Sequence, residues 1–231
     1  MSEVVLDFEF MEASLPKLQV DPRARKTFPS EAAEELARKG VLNYDYYVQN
    51  TGYWCGPTTV QMILKARSVT ASQSALATRL RTTTNGTDYI GQFPPVLNSF
   101  LPAAKYFHKD SPKKDALWNY VVDSIDAGYG VAANIVARSY NKPPGYPGYD
   151  VWHYVPVFGY GTKGSTKRIF CGDSANFSGV KSWWASLDQM TSLVSEKGIA
   201  PASAGKPKNF LGATDEEIQQ LKANFNQLGP S

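Results

Sequence analysis

With 231 residues, 42% of them apolar and 19% charged, the chain is long enough to bury a proper core as one compact domain, without disulfide or metal support. Its net charge of +3, from 24 basic and 21 acidic residues, is too small and too scattered to imply a nucleic-acid groove. Two cysteines are few for a disulfide-built secreted fold and suggest a reducing compartment; no metal cluster or cofactor motif is visible, and no stretch is long enough to span a membrane.

The first ten residues alternate apolar and acidic side chains as an edge strand would, and lack the basic start and long apolar run of a signal peptide. A Pro- and Arg-containing linker leads to Ser30, read as the cap of an alanine- and glutamate-rich helix that ends at Gly40. Residues 1–40 are accordingly an N-terminal extension.

Residues 49–64, Gln-Asn-Thr-Gly-Tyr-Trp-Cys-Gly-Pro-Thr-Thr-Val-Gln-Met-Ile-Leu, read as a loop delivering one cysteine to the start of a helix. Gly56 leaves the backbone room, Pro57 suits a first helical position, and Val60, Ile63 and Leu64 follow at helical spacing. The unpaired N–H groups and positive dipole end of that helix face Cys55 and favour its thiolate. Gln49, six residues upstream, can fold back and place its amide where an oxyanion would form. A lone cysteine would be a buried packing residue; this setting makes Cys55 a nucleophile, provided a histidine activates it.

Thr70 and Gln73 form a capping box opening a helix through Leu76, Ala77 and Leu80, and residues 82–88 turn at Asn85-Gly86. A short helix over 91–101 places Pro94 and Pro95 in its first turn, and Leu117, Val121 and Ile125 mark an amphipathic helix ending at Gly128. From Gly130 the period becomes strand-like, with four strands of an antiparallel sheet at 131–136, 151–160, 168–173 and 180–184. The tyrosine-bearing connection 141–150 cannot be regular structure and can wall a substrate cleft. Ser186 and Gln189 cap a last domain helix; a linker starts at Pro201, and beyond it Thr214 and Glu217 cap a helix whose stripe of Ile218, Leu221, Phe225 and Leu228 suits docking or self-association.

Of the two histidines, His108 lies in a polar loop and reads as a surface residue. His153 sits mid-strand, sharing a face with Val151, Val155 and Val157. A histidine on a strand facing a cysteine at a helix start is how a thiolate–imidazolium pair is usually built. Asp173, at the end of the next strand, can reach the far ring nitrogen; Asp150 competes but has the opposite parity on the histidine's own strand. Cys171 reads as a packing residue, with a Cys55–Cys171 disulfide as the alternative.

The stretches at 49–61, Thr-Thr-Thr-Asn-Gly-Thr-Asp-Tyr-Ile-Gly-Gln at 82–92, Ser-Ile-Asp-Ala-Gly-Tyr-Gly-Val-Ala-Ala-Asn-Ile-Val at 124–136 and Trp-His-Tyr at 152–154 resemble the papain-like peptidase domain of lysin A endolysins of actinobacterial phages, which is similar to bacteriocin-leader-processing cysteine peptidases. The resemblance covers residues 41–200, leaving 201–231 as linker and C-terminal helix. It implies a papain-like α+β fold, a helical half followed by an antiparallel sheet, and hydrolysis of a peptide bond in host peptidoglycan without a cofactor. Cys55 would be nucleophile, His153 base, Asp173 orienting group and Gln49 the oxyanion residue. The departures are residues 1–40 and the absence of a recognisable wall-binding or second lytic domain, which leaves open whether a separate chain supplies it. The expected partners are therefore peptidoglycan stem or cross-link peptides, with no nucleic acid and no membrane insertion, and the expected place of action is the host wall after synthesis in the host cytoplasm. An idle peptide- or wall-binding relative and a leader peptidase are the alternatives.

Overall fold

The computed structural model describes residues 36–203. Six strands form one antiparallel sheet: β1 (Leu36–Val41), β2 (Val131–Ala137), β3 (Val151–Lys163), β4 (Thr166–Gly172), β5 (Ser182–Ser186) and β6 (Ile199–Ala200). Among the described residues five α-helices flank it: α1 (Cys55–Lys65), α2 (Gln73–Arg79), α3 (Phe93–Phe100), α4 (Lys114–Asp126) and α5 (Leu187–Val194). The order across the sheet is β5-β4-β3-β2-β6, with β1 also paired to β3. The fold is the papain-like α+β fold, with helices α1 to α4 preceding most of the sheet.

The alternation of side chains along β3 divides the core between the two faces of the sheet. Tyr154 and Phe158 pack with Val60, Ile63 and Leu64 of α1, Leu76 of α2 and Phe93 and Leu97 of α3. Val155 and Val157 point the other way, into a cluster with Leu117, Val121 and Ile125 of α4 and Leu193 of α5. The sheet is thus covered on both faces, which matches the nearly unbroken apolar run of β2, Val-Ala-Ala-Asn-Ile-Val-Ala, where every residue is buried.

The register of β3 creates the opening in which the site forms. Its first half, Val151 to Val157, pairs with β2, while β4 joins the other edge only from Val157 onward. The stretch before Val157 therefore has no strand partner on the β4 side, and β4 diverges from it at Gly172. Over Gly159 to Lys163 the β2-side edge is taken by β1, so β1 and β2 lie end to end.

The segment 36–41 corrects the expectation of a helix ending at Gly40: its Leu-Ala-Arg-Lys-Gly-Val sequence has local helical propensity, but pairing with β3 overrides it. Ser30 and the strand expected over the first ten residues lie outside the described residues, as does the helix expected beyond Thr214. The sheet gains β1 and β6 over the four strands expected, and those four appear within a few residues of their expected positions. Pro94 and Pro95 occupy the first turn of α3, and α4 ends just before Gly128, whose φ is +82.

Two caps differ from expectation. Ser72, not Thr70, caps α2, accepting from Ala75 N at 3.2 Å. Ser186 caps α5 through Gln189 N as expected, but the Gln189 side chain donates to the Lys142 carbonyl instead of closing a box. Pro201, Ala202 and Ser203, expected to begin a linker, are packed down: Phe107 N donates to Pro201 O and Ser203 N to Ala104 O.

Candidate active site

Cys55 is the first residue of α1, so Pro57 falls third in the helix instead of first. That position still lies in the first turn, where a missing N–H costs nothing. No side chain caps this helix; the backbone N–H of Gly56 hydrogen-bonds the Cys55 sulfur instead. Gly56 is required by a close approach, because a Cβ there would sit 2.4 Å from Thr87 Oγ1. At Gly172, on the sheet side, a Cβ would come within 2.9 Å of Met62 Cε, the end of a flexible side chain that can shift aside.

The helix start reaches the unpaired edge of β3. There the Tyr154 backbone and the His153 side chain both hydrogen-bond Cys55. Asp173, directly after β4, accepts from His153 Nε2 at 3.1 Å through Oδ1, which leaves Nδ1 as the ring nitrogen for Cys55. All three side chains are buried, His153 at 4% and Asp173 at 1% exposure.

Electrostatics decides the protonation of this trio. Burial alone would push the Cys55 thiol up, but the hydrogen bond and charge of His153 and the N–H groups of Tyr154 and Gly56 bring it below the ordinary thiol range. Burial likewise disfavours a charged His153, yet the charge and hydrogen bond of Asp173, followed by those of Cys55, raise it to about 10. Burial would raise Asp173, but His153, Trp183 and Tyr146 hold it below the usual carboxylate range. Between these limits the stable form is thiolate, imidazolium and carboxylate. Such a trio can attack a carbonyl carbon and protonate a leaving amine.

Gln49 stands beside it with a fixed amide. Its Oε1 accepts from Ser174 Oγ at 3.1 Å and its Nε2 donates to Thr51 O at 2.9 Å, leaving one N–H uncommitted. The loop carrying it is braced by Gln73, whose side chain accepts from Asn50 N at 2.9 Å and donates to Val48 O at 2.9 Å and to Gln61 Oε1 at 3.1 Å. The sequence reading used Gln73 as a cap; its burial turns it inward to the loop instead.

The structure thus brings together Cys55, His153 and Asp173 and places Gln49 next to Ser174. Asp150 is directed elsewhere, to an ion pair with Arg138 at 2.5 Å. His108 is exposed, with its ring edge-on to Tyr89. Cys171 is a free, fully buried thiol, so the disulfide alternative is not formed; burial, and then the Asp173 charge, push its pKa well up. Among the described residues no group of three or more His, Cys, Asp and Glu side chains is placed to hold a metal.

Tyr146 and Trp183 were not singled out from sequence. Both donate to Asp173 Oδ2, at 2.7 and 2.9 Å. The only local signal was position: Tyr146 lies in the 141–150 connection and Trp183 in the strand after Asp173.

A family model described as "Peptidase_C39 like family" matches residues 41–194, two-thirds of the chain. Comparison with the curated proteins gives no match. Among solved structures, the peptidase domain of Streptococcus ComA, described as a bi-functional ABC transporter involved in a quorum sensing pathway, aligns at 18% identity with a TM-score of 0.46, covering 69% of this chain and 98% of that one.

Proposed function

The chain belongs to the Peptidase_C39-like family and is a cysteine peptidase, and from that premise we propose that it is an endopeptidase of phage lysin type, hydrolysing a peptide bond of host cell-wall peptidoglycan. The observation that carries this reading is that the four stretches resembling phage lysin A peptidases meet one another around the helix start and the strand that carry Cys55 and His153. The first supplies Cys55 itself. The second packs Thr87 against Gly56, and Thr87 O accepts from Tyr154 Oη at 3.1 Å. The third is β2 with its approach, which sets Ile135 opposite His153 and Asn134 opposite Tyr154. The fourth carries His153.

In the proposed reaction the Cys55 thiolate attacks the scissile carbonyl carbon, forming a C–S bond and moving the carbonyl π pair onto oxygen. That oxyanion is received by the uncommitted N–H of Gln49 and by the backbone N–H of Cys55, which at the first helical position has no acceptor within the helix. His153 Nδ1 gives its proton to the leaving nitrogen as the C–N bond breaks. Neutral His153 then takes a proton from water, whose oxygen attacks the thioester and releases the acid and the thiolate. Asp173 holds the ring throughout.

The chain would be made in the host cytoplasm and act on stem or cross-link peptides at the host wall after release, together with a second lytic or wall-binding chain or as a self-associated form. Purified protein and its Cys55→Ala variant, incubated with actinobacterial walls, test the reading by mass spectrometry of released muropeptides. Thiol-dependent appearance of new peptide ends supports it. Cleavage of double-glycine leader peptides with walls left intact would replace it with the leader-processing reading, and binding to walls without any cleavage would make the chain an idle relative.

A further inference from the structure

Asp173 is held by more than its histidine. Its carboxylate accepts four hydrogen bonds divided evenly between its two oxygens. Oδ1 takes His153 Nε2 at 3.1 Å and Ala175 N at 3.0 Å; Oδ2 takes Tyr146 Oη at 2.7 Å and Trp183 Nε1 at 2.9 Å. A carboxylate offers about four acceptor sites, so this one is filled without water. Its terminal torsion is intrinsically broad and two-fold, and only fixed donors on the far oxygen hold one oxygen toward the imidazole.

We propose that Tyr146 and Trp183 are positioning residues, whose two donations to Oδ2 hold the Asp173 carboxylate ionised with Oδ1 aimed at His153. The two come from separate parts of the chain, the 138–150 connection and β5. Tyr146 is 5% exposed and its ring meets the Phe177 ring edge-on at 4.9 Å and the His153 ring at 6.1 Å. Its connection is tied down where Ser178 Oγ donates to Gly145 O at 3.3 Å. Trp183 is equally enclosed, at 4%. Burial, reinforced by the Asp173 charge, holds the Tyr146 phenol well above its ordinary pKa, so it remains a donor wherever the peptidase works. The cluster of one thiolate, one imidazolium and one carboxylate carries a net negative charge, and these donors offset it with partial positive charge at the oxygen that has no cation.

The proposal rests on the Cys55–His153–Asp173 arrangement and not on the wall substrate, so its test uses a readout that needs no substrate. The rate of iodoacetamide alkylation at Cys55, located by mass spectrometry, is measured against pH for wild type, Tyr146→Phe and Trp183→Phe, with Tyr140→Phe, an exposed residue of the same connection, as control. Each Phe variant at 146 or 183 keeps an aromatic ring and loses one donor. The acid limb of the alkylation profile should move up by a few tenths of a pH unit in both, an attenuated share of the effect of about one unit that one hydrogen bond has on the carboxylate itself. Where a peptide substrate is cleaved, kcat should fall with KM unchanged. Tyr140→Phe should match wild type. A wild-type acid limb in a folded Tyr146→Phe or Trp183→Phe protein would overturn the assignment for that residue, and if only one variant folds, its limb alone decides.

Discussion

The hydroxyl of Ser174 donates to Gln49 Oε1 across 3.1 Å, and the Gln49 backbone N–H returns a bond to the Ser174 carbonyl at 3.1 Å. The residue next to Asp173 therefore fixes which way the Gln49 amide faces, linking the carboxylate side of the site to its oxyanion side. Ser174→Ala should lower kcat by about threefold to tenfold with KM unchanged, the cost of one neutral hydrogen bond that orients the amide. Gln49→Ala should cost on the order of 10²–10³ in kcat if its N–H meets the oxyanion. Steady-state kinetics on one peptide substrate checks both, and wild-type turnover in Gln49→Ala would remove that residue from the site.

The two cysteines should separate cleanly. Cys55→Ala should fold and show no hydrolysis, because it removes the nucleophile at the cost of a small void. Cys171→Ala should keep its activity while losing about 1 kcal/mol of stability, since the sulfur is fully buried in the cluster with Val157 and Trp183. An inactive Cys171→Ala beside an active Cys55→Ala would reverse the assignment.

Asp173→Asn should be more damaging than loss of charge alone would suggest. The wild-type carboxylate meets only donors, four of them, on both oxygens. An amide must turn its NH₂ either toward Tyr146 and Trp183 or toward His153 and Ala175 N, so every orientation sets donor against donor. Turnover should fall by orders of magnitude as the imidazolium loses its partner. Stability should fall by about 1–3 kcal/mol for buried groups left unsatisfied. Chemical denaturation of the variant decides the second point; unchanged stability would mean that the Asp173 surroundings relax freely.

These contrasts mark what could be read from the sequence alone. Cys55 and His153 were legible because the chain has two residues of each type, and because one sits at a helix start and the other mid-strand, where 3.6 and 2.0 periodicity say which way they face. Asp173 followed from strand order. Tyr146 and Trp183 were not legible, since a buried aromatic donor looks like any core aromatic until the fold closes a gap, of 27 residues for Tyr146 and 10 for Trp183, to Asp173. Gln73 was misread for a related reason: its local pattern fits a cap, while its partners Val48, Asn50 and Gln61 are 12 to 25 residues away. β1 was misread because strand pairing with β3, across more than a hundred residues, outweighs the local helical propensity of residues 36–40.

The pH dependence of stability should have a slope in Cys55→Ala that wild type lacks. Between the ordinary histidine value of 6.5 and the ordinary thiol value of 9.0, the unfolded chain carries its proton on Cys55 and none on His153. The native pair reverses this, with the thiol lowered and the imidazole raised to about 10. Both states bind one proton, so the pair contributes no slope across this window. In Cys55→Ala only His153 remains, still raised by Asp173, the largest of its raising influences. Its contribution is then fully present below 6.5 and is lost as pH rises toward the folded value. Melting temperatures taken every half unit should be nearly flat from pH 6.5 to 9 for wild type relative to a steady decline for Cys55→Ala. Parallel curves would show that Asp173 alone, without the Cys55 thiolate, does not raise His153.

Where the catalytic core ends can be tested by truncation, with the cut moved from the position the sequence suggested. Pro201 and Ala202 have lost almost all solvent exposure. Phe107 N donates to Pro201 O at 3.1 Å and Ser203 N to Ala104 O at 3.0 Å, while the Ser124 hydroxyl accepts from Ala202 N at 3.1 Å and donates to Ala202 O at 3.1 Å. A chain ending at Ala200 therefore strips Phe107 N and Ala104 O of their partners, leaves the Ser124 hydroxyl, at 0% exposure, with only its bond to Tyr120 O at 2.6 Å, and uncovers Tyr106, which bridges to Ala202. It should melt well below the full chain, since each buried group stripped of its partner costs about 1–3 kcal/mol. A chain ending at Ser203 keeps all of these contacts and should retain both the melting temperature and hydrolysis of soluble wall peptides. Its mass in solution or its binding to intact walls should fall if the stripe of Ile218, Leu221, Phe225 and Leu228 docks on a second copy or a partner. Equal destabilisation of the two truncations would instead place that stripe against the core.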